Sequence, residues 1–178
     1  IMEKGIRITN FFYFDERLEA LGFWCRQLIA ESLGKARHIN GSPMKFKFLP
    51  IVSSPQDLHS ISQLYFSDNG KIFTDFVLLE REGNEYSIGE SKIAPKLDGK
   101  SLKDIQWAIA NGVREAYKES SLRYRETTLS SPSEEVVGHF LGTRMLETMY
   151  LAHLLKVNAF DQPSVELYKQ KTREILDI

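Results

Sequence analysis

Two polar residues near the end of the first predicted helix have the spacing of one helix turn. Gln27 and Glu31 are four residues apart, so their side chains share one helix face. A carboxylate near a helix C-terminus meets the negative end of the helix dipole, which makes it a stronger base. The pair therefore suits general-base chemistry, although an exposed glutamate without a chemical role has the same spacing.

A histidine and a lysine are the other candidates for chemistry. His59 follows a predicted strand-to-helix turn, where the positive end of the helix dipole favours neutral imidazole, the form that accepts a proton. Lys169 lies two helix turns after Gln162, on the same face of the last predicted helix. A histidine packed at a helix start and a lysine bordering an apolar stripe are the alternatives.

Signatures of other chemistries are missing from the sequence. It contains no Gly-rich phosphate loop, no nucleophile elbow and no Cys/His pair spaced for zinc. We interpret Glu82, Glu85 and Glu90 as a solvated charge run. The single cysteine, Cys25, predicts a small buried helix residue and a reducing compartment.

The composition is that of a globular domain. The 178 residues are 42% hydrophobic, and 23 basic against 24 acidic residues give a net charge of −1. No stripe of Lys and Arg indicates nucleic-acid binding, and no apolar stretch approaches the roughly 20 residues of a membrane span. The first residues lack the apolar segment of a signal peptide. We expect a soluble, cytoplasmic protein without nucleic-acid or membrane partners.

Apolar periodicity and turn residues predict an alternation of helices and strands. We expect helices over about 15–34, 57–66, 101–117 and 132–155, a last helix after Asp161, and strands over 46–52, 72–79 and 122–129. Gly34 suits a helix end and Asp57 a helix start. Residues 81–100 are interpreted as a surface excursion with a short strand near Tyr86 to Ile88.

Strands separated by helices predict an α/β fold, with a mostly parallel sheet between two helix layers. Nothing in residues 1–178 indicates a domain boundary, so we expect a single domain. Ligands gather at the carboxyl ends of the strands in such sheets. The turn from Val52 to His59 is therefore the first place to expect a site.

Three segments resemble motifs of the glucose-6-phosphate isomerase family, and they occur in the family's order. Residues 24–35 resemble a glutamine followed by Glu-Ser-x-Gly-Lys, and residues 57–60 resemble Asp-[Gln/Leu]-His-Ser. Residues 158–169 are similar to the signature Asn-Pro-Phe-Asp-Gln-Pro-x-Val-Glu-x-x-Lys. The resemblance spans nearly the whole chain.

The resemblance implies a fold and a reaction. The fold is the sugar isomerase (SIS) fold, a three-layer αβα sandwich, here the second of the family's two such domains, with C-terminal helices over about 132–176. The reaction interconverts glucose 6-phosphate and fructose 6-phosphate in glycolysis and gluconeogenesis. No metal or organic cofactor takes part.

The resemblance also implies residue roles. Glu31 would be the base that moves a proton between C1 and C2 of the open-chain sugar through a cis-enediol. Gln27 and Gln162 would contact the substrate. His59 would open the sugar ring from the neighbouring subunit of a homodimer with shared active sites, and Lys169 would assist ring opening and steady negative charge on the sugar oxygens.

The sequence departs from the family pattern away from these residues. Ala159 replaces a usual proline, Tyr168 a common glycine, and Ala36-Arg37-His38 the usual continuation of the first motif. The family's Ser/Thr-rich phosphate cradle and a substrate-contacting arginine belong to the N-terminal half, which would be a partner of this chain. A non-catalytic sugar-phosphate-binding module and the isomerase part of a fusion enzyme are the alternative functions.

Overall fold

The computed structural model describes residues 5–45, 47–67, 70–80 and 86–178. Its centre is a four-stranded sheet in the order β2-β1-β3-β4, with every neighbouring pair parallel. The strands are β1 (Ile8–Tyr13), β2 (Leu49–Ser53), β3 (Ile72–Leu79) and β4 (Arg123–Leu129). This confirms the predicted α/β fold with its parallel sheet.

Helices cover both faces of the sheet. They are α1 (Glu19–Leu33), α2 (Ser62–Phe66), α3 (Leu102–Glu119), α4 (Glu134–Leu155) and α5 (Pro163–Leu176). On one face Phe12 and Phe76 pack against Tyr117 of α3. On the other face Tyr13 packs with Cys25 of α1 and Phe140 of α4. The three-layer sandwich is therefore formed, and Cys25 is buried as predicted.

The sequence analysis missed β1, which lies at the centre of the sheet between β2 and β3. Its last residues, Phe11, Phe12 and Tyr13, are buried on both faces of the sheet. A strand covered on both faces shows a continuous apolar run instead of alternation. The signal was therefore the run Phe11 to Phe14, directly before the first helix.

Other boundaries differ in detail. β2 begins at Leu49, while Phe46, where the predicted strand starts, lies outside the described residues. The expected strand near Tyr86 is wrong, because only Ser87 forms an isolated antiparallel bridge, with Ser101. Part of the expected 81–100 excursion also lies outside the described residues.

Only some of the apolar residues of α3 are buried. The buried residues of this helix are Ala110, Val113 and Tyr117, whereas Leu102 is 53% and Ile109 38% exposed. The Tyr117 ring lies 5.0 Å from the Phe76 ring in an edge-on arrangement, so aromatic packing on the sheet selects this face of the helix.

The two last helices differ in burial. α4 begins after Ser133, whose side chain accepts a hydrogen bond from Val136 N, and it ends at Lys156 in the left-handed conformation. α5 lies at the surface, and in this described helix no side chain is buried. Among the helices of the described ranges, none has the length and apolarity to cross a membrane.

Candidate active site

The site is built at the C-terminal end of α1. Gln27 Nε2 donates a hydrogen bond of 2.8 Å to Glu31 Oε1, and both side chains are open to solvent. The helix ends when Gly34 N donates to Ala30 O at 3.0 Å. A Cβ at Gly34 would collide with that carbonyl oxygen, so the close approach requires glycine. The predicted pairing of Gln27 with Glu31 and the helix end at Gly34 are confirmed.

Lys35 links this helix end to the start of α5. Its side chain is buried, and Nζ donates a hydrogen bond of 2.9 Å to Glu31 O. Nζ also lies 3.1 Å from Asp161 Oδ1 and donates to the Asp161 carbonyl oxygen. The end of the first motif and the start of the last motif are therefore held together, which brings Gln162 into the neighbourhood of Glu31.

A compact turn presents Asp161 to Lys35. Asn158 Nδ2 donates a hydrogen bond of 3.0 Å to Asp161 Oδ2, and Asn158 Oδ1 accepts one of 3.0 Å from Phe160 N. Gln162 follows as the residue before α5, and its carbonyl oxygen accepts from Val165 N at 3.2 Å. The Asp161 carboxylate is thereby shared between Asn158 and Lys35.

The loop after Gly34 supports the same turn. Ile39 N donates to Lys156 O at 2.7 Å, and His38 Nδ1 lies 2.7 Å from Leu155 O. Val157 is buried in a cluster with Leu33, which closes the contact between the two segments. His38 thus has a structural role that its sequence setting did not indicate.

Lys169 lies on an exposed helix. Its Nζ is 3.0 Å from Glu166 Oε1, and its side chain is 39% exposed. The apolar stripe that Lys169 borders faces solvent, with Tyr168 61% and Ile175 82% exposed. The described part of the chain supplies no surface that covers α5.

His59 is placed differently from the prediction. A 3-10 turn spans Pro55–Leu58, with Ser54 as its N-cap, and Ser54 N donates to Asp57 Oδ2 at 2.8 Å. His59 ends this turn, and α2 begins only at Ser62. The expectation that Asp57 starts a helix with His59 in its first turn is therefore wrong. Pro55 starts the turn early because it fits the first position of a helix.

His59 and Glu31 lie toward opposite ends of α1. A cavity of about 220 Å³ lies at the carboxyl ends of β1 and β2, and its lining includes Glu19 together with Gln56 of the turn that His59 ends. Glu19 is the first residue of α1, and Glu31 lies in the last turn of this helix, which ends at Leu33. At about 1.5 Å of rise per residue, these two residues are about 18 Å apart along the helix axis. One chain therefore does not bring His59 and Glu31 together.

A buried ionic cluster between the sheet and α4 was not predicted. Asp75 on β3 is fully buried and accepts hydrogen bonds from Arg125 Nε at 2.9 Å and Nη2 at 2.7 Å. Arg144 Nη2 lies 2.8 Å from the same oxygen. Glu147 accepts from both guanidinium groups, at 2.6 Å from Arg125 and 2.8 Å from Arg144. Burial raises the pKa of Asp75 to about 6, against the opposing effect of Arg125.

The cluster forms one wall of an apolar cavity. The cavity has a volume of about 320 Å³ and lies between β1, α1 and α4, with Leu28, Phe48 and Leu151 in its lining. Cys25 also borders it, and burial raises the pKa of this thiol to about 12. A thiol with this pKa is protonated at neutral pH, so Cys25 is a packing residue and not a nucleophile.

Comparison with curated proteins gives relatives that are named glucose-6-phosphate isomerases. The chain is 34% identical to a glucose-6-phosphate isomerase of Thermus thermophilus, over 98% of this chain and 42% of the relative. It is 31% identical to a probable glucose-6-phosphate isomerase of Methanococcus maripaludis, over 97% of this chain and 38% of the relative. The chain thus spans about two fifths of the length of these relatives. No family model matches it.

Solved structures agree with this result. A hypothetical protein, also of Thermus thermophilus, superposes with a TM-score of 0.88 at 31% identity, over 98% of this chain and 42% of that chain. A glucose-6-phosphate isomerase of Chlamydia trachomatis superposes with a TM-score of 0.77 at 16% identity, over 97% of this chain and 35% of that chain, and this likeness concerns the fold alone. The predicted resemblance to the family is confirmed, and it covers one part of such proteins.

Proposed function

We propose that this chain, which matches one part of the glucose-6-phosphate isomerases, forms the C-terminal part of such an enzyme. The complete protein, meaning this chain joined to its N-terminal part, interconverts glucose 6-phosphate and fructose 6-phosphate in glycolysis and gluconeogenesis. The supporting observation is that Lys35 joins Glu31 of the first motif to Asp161 of the last. Residues far apart in the sequence thereby form one polar surface.

Glu31 is the general base in this proposal. It takes the proton from C2 of the open-chain aldose, and the cis-enediol that results receives a proton at C1 to become the ketose. The hydrogen bond from Gln27 Nε2 fixes one carboxylate oxygen and leaves the other free to accept a proton. Gln162 contacts the sugar hydroxyl groups, and Lys169 steadies the negative charge that develops on the sugar oxygens.

His59 acts on a different step and comes from a second copy of the chain. It opens the pyranose or furanose ring before proton transfer. Since α1 separates His59 from Glu31 by much of its length, a homodimer with shared active sites accounts for both residues in one reaction. A single SIS domain over residues 1–178 then contributes two different surfaces to two sites.

The N-terminal part completes the site. Gln27 and Glu31 are open to solvent, and the apolar side chains of α5 are exposed, as expected of surfaces that a further domain or subunit covers. The N-terminal part would supply the groups that hold the phosphate, in a cytoplasmic enzyme. The proton moves within one substrate molecule by general base catalysis, which needs neither a metal nor an organic cofactor.

The experiment is an isomerase assay of the complete protein and of this chain alone, with glucose 6-phosphate as substrate. The complete protein should turn it over at roughly 1 to 1,000 per second, the order usual for enzymes. The chain alone should be slower by about a hundredfold or more, because an unheld phosphate lets the sugar drift from the base. Binding without turnover by the complete protein would favour the non-catalytic sugar-phosphate module instead.

A further inference from the structure

We infer that Lys35 is a positioning residue that sets Gln162 and the start of α5 against Glu31, and this inference rests on the proposed isomerase function. Burying an ammonium group is costly unless every donor finds an acceptor. A lysine has three N–H donors. Nζ of Lys35 has three oxygen partners, namely Glu31 O, Asp161 O and Asp161 Oδ1.

These partners belong to two elements that carry the proposed chemistry. The carbonyl oxygen of Glu31 is part of the last turn of α1, so Lys35 holds the backbone from which the proposed base projects. Asp161 directly precedes Gln162, the residue from which α5 starts. A movement of the ammonium group would therefore change the distance between the base and the substrate-contacting glutamine.

The contact between Lys35 and Asp161 matters because the rest of α5 makes few contacts with this chain. In the described part of the chain, no side chain of α5 is buried. The side-chain hydrogen bonds of this helix join its own residues, as in Lys169 to Glu166 and Thr172 to Tyr168. The ion pair and hydrogen bond between Lys35 and Asp161 therefore help to fix where α5 begins, and Lys169 lies two turns beyond Asp161.

Lys35 acts through other residues and not on the substrate. Only 7% of the surface of Lys35 is exposed to solvent, and its N–H groups are directed to oxygen atoms of the protein. A lysine in this state offers no free N–H to a sugar phosphate. The expected effect of its loss is therefore on the geometry of the site, where a misplacement of about 1 Å costs up to about a hundredfold in rate.

The test compares variants of the complete protein. Lys35→Met keeps the aliphatic stem without the charge, and Asp161→Asn keeps the shape and the backbone acceptor. We expect each to lower kcat about ten- to a hundredfold with a smaller change in KM. Lys35→Arg should retain more activity than Lys35→Met, because it keeps a donor. Lys118→Met, which removes an exposed lysine on α3, is the matched control and should retain full activity.

Two further measurements separate positioning from stability. In the double variant Lys35→Met/Asp161→Asn, the loss of kcat should be smaller than the two single losses combined, because both changes break the Lys35–Asp161 interaction. Amide hydrogen exchange over residues 162–169 should be at least about tenfold faster in each single variant than in the Lys118→Met control. Asp161→Asn keeps the test valid if Lys35→Met does not fold.

The outcomes distinguish the inference from the function on which it rests. Unchanged kcat and unchanged exchange in Asp161→Asn would overturn the positioning role while leaving the isomerase proposal intact. Absence of isomerase activity in the unaltered complete protein would overturn the isomerase proposal. The exchange measurement would then still decide whether Lys35 anchors α5.

Discussion

Lys35 and Asp161, 126 residues apart in the sequence, meet with Nζ 3.1 Å from Oδ1. This contact ties the end of the first helix to the start of the last one. It fixes the backbone of Glu31 relative to that of Gln162, although both side chains are exposed in this chain. The proposed site is thus preorganised on this side and open on the side that the N-terminal part would cover.

Two helix glycines provide a test of the packing that positions α1. A Cβ at Gly22 would lie 2.6 Å from the Tyr13 ring and 2.7 Å from Val52, whereas one at Gly112 on α3 meets open space. Gly22→Ala should lower the free energy of unfolding by about 1–3 kcal/mol through overpacking. Gly112→Ala should raise it by about 0.5–1 kcal/mol. Urea unfolding measures both, and equal effects would contradict the packing.

The buried cluster predicts a pH-dependent stability. The pKa of Asp75, raised to about 6 by burial, lies above its unfolded value of about 4, so the folded state binds the proton more tightly. The contribution of Asp75 to the free energy of unfolding should therefore be largest below about pH 4 and should fall as the pH rises to about 6, by at most about 3 kcal/mol.

Asp75→Asn isolates this contribution. The difference in unfolding free energy between the unaltered protein and this variant should decrease from about pH 4 to about pH 6 and be constant above. Glu115→Gln, which changes an exposed carboxylate on α3, is the control and should show a difference close to zero at each pH. A difference that grows with pH would mean that Arg125 and Arg144 outweigh burial.

The structure shows which features local sequence patterns can predict. β3 was predicted with the correct ends, because Ile72 to Leu79 is a long apolar run between turn residues. α4 was predicted because Pro132 and Ser133 mark its start. Such signals involve residues close together in the sequence, so they can be recognised without knowledge of the fold.

Other features depend on contacts that local patterns do not contain. Lys35 is part of the first motif in the sequence. Its structural role, however, depends on its contact with Asp161, and these two residues meet only in the folded chain. The Asp75 cluster likewise joins β3, β4 and α4. The prediction of a helix around His59 was wrong because Pro55 starts a short 3-10 turn that ends before α2. The family motifs identified candidate residues, and the structure shows which of them are close together.

The proposed role of His59 predicts a selective loss of activity. His59→Ala in the complete protein should slow turnover of cyclic glucose 6-phosphate by about a hundredfold or more. Turnover of an open-chain analogue should change little, since no ring has to be opened. The melting temperature should shift only slightly, because His59 is exposed. Equal losses on both substrates would contradict a ring-opening role.

The separation of His59 from Glu31 predicts complementation between subunits. His59→Ala and Glu31→Gln proteins, each inactive alone, should regain activity when mixed under conditions of subunit exchange. In a mixed dimer, one of the two sites would contain both unaltered residues, so activity should reach about a quarter of the unaltered value at equal, random mixing. No recovery, with exchange confirmed by mass spectrometry, would contradict shared sites.

The most direct test of the central claim is exchange of the C2 hydrogen of the substrate with solvent deuterium in Glu31→Gln. The amide preserves the shape and the hydrogen bond with Gln27, yet it cannot take the proton. In the complete protein we expect C2 exchange and isomerisation to fall together by about two to four orders of magnitude, with sugar-phosphate binding retained. The control Glu115→Gln should leave both rates unchanged. Retained C2 exchange in Glu31→Gln would contradict the assignment of Glu31 as the base.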